Sequence, residues 1–256
     1  DLRMSRGLGD VYKRQVLYSE DILFPIADFY LKKERWNEAI EVYEEMETIG
    51  ALQGRGAEYY QKLGYALQKN KKYAEAIDAY LKADTLKPDN IWNNRHLAIC
   101  YRLNRNYQAA LSYYKKVEEA TPEDTNVIFH IGSCLAELGQ YEEAANYFFK
   151  LDFIESNCIK AWRGIGWCSF ISRKYEQAMK YYEKIIEQKP LAIDYMNAGH
   201  VAWTMGDIQK AAALYGKSIT ANGNRERFLE MFRKDKEALL KQGIQEEDIP
   251  LMLDLL

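Results

Sequence analysis

Histidine and cysteine are scarce here: three and four residues in a chain of 256. The cysteines, Cys100, Cys134, Cys158 and Cys168, are too few for a disulfide framework, which points to a reducing, cytoplasmic setting. Positive charge is not in excess, with 35 Lys and Arg against 38 Asp and Glu and a formal charge of −3. Nucleic-acid binding needs a basic footprint, so nucleic acid is not the expected partner. There is no run of about 18 apolar residues, so no segment is expected to span a membrane. No basic, apolar and small-residue signal segment opens the chain. The patterns GxxxxGK, GxSxG and HExxH are absent. The expectation is therefore no enzyme, no catalytic residue and no cofactor.

What the chain does have is a period. A large aromatic or aliphatic residue is followed three positions later by alanine, at Trp36/Ala39, Tyr73/Ala76, Tyr107/Ala110, Tyr141/Ala144, Tyr175/Ala178 and Ile208/Ala211. Successive alanines are 37, 34, 34, 34 and 33 residues apart. A constant period of this length predicts stacked copies of one supersecondary unit, each touching only its neighbours. Residues 57–90 show the unit. Tyr60, Leu63, Gly64 and Leu67 fall on one helical face, Asn70 and Lys71 interrupt it, and Tyr73, Ala76, Ile77, Tyr80 and Ala83 form a second face. Pro88 stops the second helix, because proline has no N–H to donate and clashes with the preceding turn. Each unit is thus read as a helical hairpin.

These residues resemble the tetratricopeptide repeat (TPR). The family's pattern has a large residue at repeat position 4, Leu at 7, a small residue at 8, Tyr at 11, Ala at 20, an aromatic at 24, Ala at 27 and Pro at 32. Residues 57–90 match it with Tyr60, Leu63, Gly64, Leu67, Ala76, Tyr80, Ala83 and Pro88. Further units are read at 91–124, 125–158, 159–191 and 192–223, with a looser first unit at 20–56. Pro25 in that first unit suits a first helical turn. The resemblance implies an all-α fold, a solenoid or superhelix of about six hairpins over residues 16–223. Residues 224–256 follow as a capping region, with an amphipathic helix over 225–242 and a tail, EEDIPLMLDLL, that is acidic and then apolar. The tail is expected to fold over the cap in preference to standing free.

In this family the first helix of each hairpin lines a concave groove, and ligands touch positions 2, 5, 9, 12 and 13. The groove residues implied here are Tyr65, Trp92, Arg95, Ile99, Arg102, Phe129, Lys160, Arg163, Trp167, Phe170, Met196, His200 and Trp203. Aromatics with arginine are the composition of binding hot spots. The implied function is a protein-interaction scaffold that takes a peptide with apolar anchors and carboxylates. Its rivals are a regulatory or substrate-recruiting arm of a larger enzyme or signalling protein, and an adaptor of an envelope or secretion assembly. The carboxylate-clamp subtype, which needs asparagine at position 9, does not fit Tyr65, Ile99, Ser133, Trp167 and His200.

Two other features were weighed. His96 with Cys100 and His130 with Cys134 share the i, i+4 spacing in adjacent units, a possible zinc ligand set. Cysteine recurs at Cys168 without histidine, which favours a small buried packing position and no metal site. Residues 1–15, DLRMSRGLGDVYKRQ, do not fit the repeat. They resemble a translated sequencing-adapter read-through at the end of a metagenome-derived sequence, and are expected to be a non-native leader that replaces the native N-terminus.

Overall fold

The structure, a computed structural model, describes residues 20–48 and 55–256. The atypical leader at 1–15 lies outside the described residues. The described residues form fourteen helices and no strand. They fall into two compact units, one reaching to Ala120 and the other running from Thr121 to Leu256.

The first unit contains three hairpins. These are α1 (Glu20–Lys32) with α2 (Trp36–Thr48), α3 (Gly56–Lys69) with α4 (Tyr73–Leu86), and α5 (Ile91–Leu103) with α6 (Tyr107–Ala120). The second unit contains α7 (Thr125–Glu137) with α8 (Tyr141–Ile154), α9 (Ile159–Ile171) with α10 (Tyr175–Ile186), and α11 (Ala192–Thr204) with α12 (Ile208–Asn222). It ends in α13 (Arg225–Lys241) and α14 (Asp248–Asp254).

All six hairpins turn in the same way. The residue just past the first helix is left-handed: Glu34, Lys71, Arg105 and Arg173 at φ 56°, 63°, 61° and 59°, Gly139 and Gly206 at 77° and 85°. Its N–H and the next one bond back to carbonyls three and five residues earlier, as in Arg105 N to Arg102 O at 3.0 Å and Asn106 N to Tyr101 O at 2.8 Å. This is the Schellman closure that satisfies the last carbonyls of a helix. The starts of α5 and α7 are capped by side chains. Asn90 Oδ1 accepts from Asn93 N at 2.9 Å, and Asp124 Oδ1 from Asn126 N and Val127 N at 3.0 and 3.1 Å.

The small residue of each first helix admits the ring of the second. A Cβ placed on Gly64, Gly132 or Gly166 would lie 2.9 Å from the ring of Tyr80, Phe148 or Tyr182 respectively. Phe148 is also pressed by the following hairpin, where a Cβ on Gly164 would come within 2.5 Å of it. The ring is therefore clamped between two glycine backbones, and only glycine allows both helices so close. Cys100, Cys134 and Cys168 are buried at equivalent positions, and burial pushes the thiols of Cys100 and Cys168 up to about 12. All three are packing residues, and Cys100 and Cys168 stay protonated.

Pro25 departs from its expected place. It lies well inside α1, past the first turn, so the carbonyl one turn earlier loses its helical donor there. The second unit closes as the amphipathic pattern suggests. Phe228, Phe232 and Leu239 of α13 are buried, and the Phe228 and Phe232 rings pack against α11 and α12. Beyond its end Gln242 accepts from Tyr175 Oη at 2.9 Å and donates to Ile171 O at 3.2 Å. Helix α14 folds back so that Arg225 donates to Leu253 O at 2.9 Å, and Ile249 and Met252 are buried.

Candidate functional site

The thirteen groove candidates divide between the two units and do not share one environment. In the first unit Tyr65 of α3 and Trp92 of α5 stand 6.3 Å apart with His96 against both, at 5.7 and 4.0 Å between ring centroids. Trp92 is 42% exposed and Tyr65 half-buried, so this corner presents aromatic surface. His96 Nδ1 lies 2.7 Å from Gln68 Oε1, which also accepts from Tyr80 Oη at 3.1 Å. Burial, with the Lys69 and Arg95 cations nearby, pushes His96 down to about 4, so it is neutral at physiological pH. Ile99, Arg95 and Arg102 are half-buried, and Arg102 Nε donates to Tyr114 Oη at 3.4 Å. Among the described residues no group of three or more His, Cys, Asp and Glu could hold a metal ion.

In the second unit four candidates do not present a surface. Phe170, Met196, His200 and Trp203 are 1%, 0%, 0% and 6% exposed. Helix α13 lies against the face of α11. The Phe232 ring stacks on Trp203 at 6.4 Å and meets His200 edge-on at 5.4 Å. His200 Nδ1 is 2.7 Å from Tyr215 Oη, and its Nε2 is 3.5 Å from Asp235 of α13. Removing so much apolar surface from water is the reason α13 docks there. These four residues are interior, and α13 covers His200 and Trp203.

Arg163 also needs correction. Its side chain is 33% exposed and lines the pocket described below, but its charge is already paired within the protein. Its Nε and a terminal nitrogen reach the two carboxylate oxygens of Asp194, each at 2.7 Å. The Asp194 side chain is 1% exposed, and it also accepts from Leu191 N at 2.7 Å, closing the start of α11. Charged groups buried this deeply require such pairing. Sequence reasoning missed Asp194. Its only signal was a carboxylate in the first turn of a helix, where it favours the positive dipole end.

What remains open is a pocket of about 360 Å³ built from α7, α8 and α9. Phe129 and Trp167, both half-buried, form its walls together with Ser133, Ala136 and Cys168. Its floor is the clamped Phe148 ring beside Gly164. Lys160 lines it too, with its ammonium 5.8 Å from the Phe129 ring centroid and 3.5 Å from Glu155. Glu137 is exposed at the rim. Arg163, its charge paired with Asp194, also lines the pocket, so an apolar cleft is edged by two cations and one anion, a composition that suits a side-chain anchor more than a reaction.

Sequence profiles of the tetratricopeptide repeat match residues 23–53, 57–90, 102–168, 159–190 and 195–225. The chain belongs to the tetratricopeptide repeat family. Solved TPR structures agree in fold. A TPR protein from Parabacteroides merdae ATCC 43184 is 19% identical, with a TM-score of 0.64 over 92% of this chain and 97% of that one. YrrB, described as a TPR protein with an unusual peptide-binding site, is 20% identical, with a TM-score of 0.59 over 74% of this chain and 96% of its own. MamA from AMB-1 is 24% identical, with a TM-score of 0.58 over 68% of this chain and 91% of its own. No curated protein matches the chain. Membership of the TPR family supports a protein–protein interaction scaffold. Among the described residues no helix is long and apolar enough to cross a membrane.

Proposed function

We propose that this TPR protein captures a peptide segment of a protein partner by seating one large apolar side chain in the α7–α8–α9 pocket. The open cleft walled by Phe129 and Trp167 over the Phe148 ring is the observation that carries the reading. A pocket formed before the ligand arrives has little ordering entropy to lose on binding. Lys160 at the edge favours a carboxylate beside the anchor, and Glu137 on the other side favours a basic or neutral residue. The peptide-binding site described for YrrB, a structure of the same fold, is in keeping with this role. The chemistry required is recognition without catalysis.

Panning a random displayed-peptide library on the purified chain tests the proposal. The selected peptides should share a large apolar residue with an acidic neighbour. Trp167→Ala and Phe129→Ala should each weaken the selected peptide about tenfold or more while the helical spectrum is kept. Enriched peptides that bind Trp167→Ala and Phe129→Ala as tightly as the unaltered chain would reject the pocket.

A further inference from the structure

The C-terminal hairpin carries two features that the groove does not use. Leu251 of α14 and Leu255, the residue that follows its end, are 65% and 63% exposed and four positions apart. Beside them, Arg225, Leu229, Arg233 and Lys236 of α13 and Ile249 and Leu253 of α14 line a cleft of about 340 Å³. Its floor is apolar and its rim basic.

The two features are opposite in charge. Helix α13 holds six basic residues against four acidic ones, whereas residues 244–256 hold four carboxylate side chains and no Lys or Arg. Arg225 and Lys236 are already tied to Leu253 O and Glu246. Arg233 is exposed and has no ion-pair partner among the described residues. Asp254, also exposed, is the last residue of α14 and immediately precedes Leu255.

We propose that two copies of this chain dimerise through this hairpin, each inserting Leu251 and Leu255 into the other's α13–α14 cleft. Every copy both gives and receives, so the contact is self-complementary and closes at two. The leucines supply the apolar anchor, and Asp254 of one copy faces Arg233 of the other at the polar rim. Two large apolar side chains at adjacent turns are costly to leave in water, and their acidic flanks prevent self-pairing without a basic receiver.

Sedimentation velocity of the full chain over a concentration series tests this directly. The unaltered chain should move from monomer to dimer and stop there. Leu251→Asp combined with Leu255→Asp should raise the dissociation constant about a hundredfold. Both side chains are exposed in the monomer, so the melting temperature of that variant at low concentration should be unchanged. Arg233→Glu and Asp254→Arg should each weaken the dimer, and the two together should restore it. A chain that is monomeric throughout, a leucine variant that still dimerises, assembly growing past two, or a charge swap without recovery would each overturn the proposal.

Discussion

Arg163 and Trp167 are four residues apart on α9 and line the same pocket, yet only Arg163 is already paired within the protein. The Arg163 guanidinium is held on both oxygens of Asp194, 31 residues later in the chain, while the Trp167 indole lines an open pocket. Residue type and helical face were legible in the sequence for both. What separates them is a carboxylate supplied by the next hairpin, which no spacing rule within one repeat reveals. His200 and Trp203 are withdrawn from the groove for a similar reason, because the helix that packs on them arrives from beyond the repeats. A consequence can be measured. Arg163→Leu leaves the Asp194 carboxylate buried without its cation, which should cost about 2–3 kcal/mol, the partial exposure of Arg163 reducing the usual penalty for breaking a buried pair. Arg163→Leu together with Asp194→Asn should recover part of it. Urea unfolding checks this, and a single variant as stable as the parent would show that the pair contributes nothing.

Helix positions were largely written in the 34-residue spacing, because alanine, glycine and the facing aromatic must coincide for two helices to pack closely. The turns were less legible. Glycine is the usual mark of a left-handed helix end, but four of the six hairpin turns place Glu34, Lys71, Arg105 or Arg173 there. A side chain in that conformation is strained by about 1–2 kcal/mol, and glycine relieves the strain at some entropic cost in the unfolded chain. Arg105 is exposed, and its left-handed backbone closes the α5–α6 turn. Arg105→Gly should therefore stabilise the protein by about 0.5–1 kcal/mol. The thermal midpoint reports it, and a lowered midpoint would show that the turn is not strained. Pro25 illustrates the opposite error. Its residue type favours a helix start, but the packing of Phe24 and Ala27 keeps α1 helical on both sides of it.

At the scale of the molecule, repetition gives a scaffold and the departures from repetition give its character. Fold class follows from the repeat alone, since hairpins of this kind can bury their apolar faces only against their neighbours. The location of a binding surface does not. It depends on which stretch of first-helix surface is left uncovered after α13 has docked, and on which ring floors the cleft. In the second unit that leaves the pocket of Phe129, Lys160 and Trp167. The direct measurement is an amide and indole NMR titration of the isotope-labelled chain with a selected peptide. The account predicts shifts centred on Ser133, Gly164 and the Trp167 indole, with the buried Trp203 indole unmoved. Shifts centred elsewhere, with Gly164 and Trp167 silent at saturation, would contradict it.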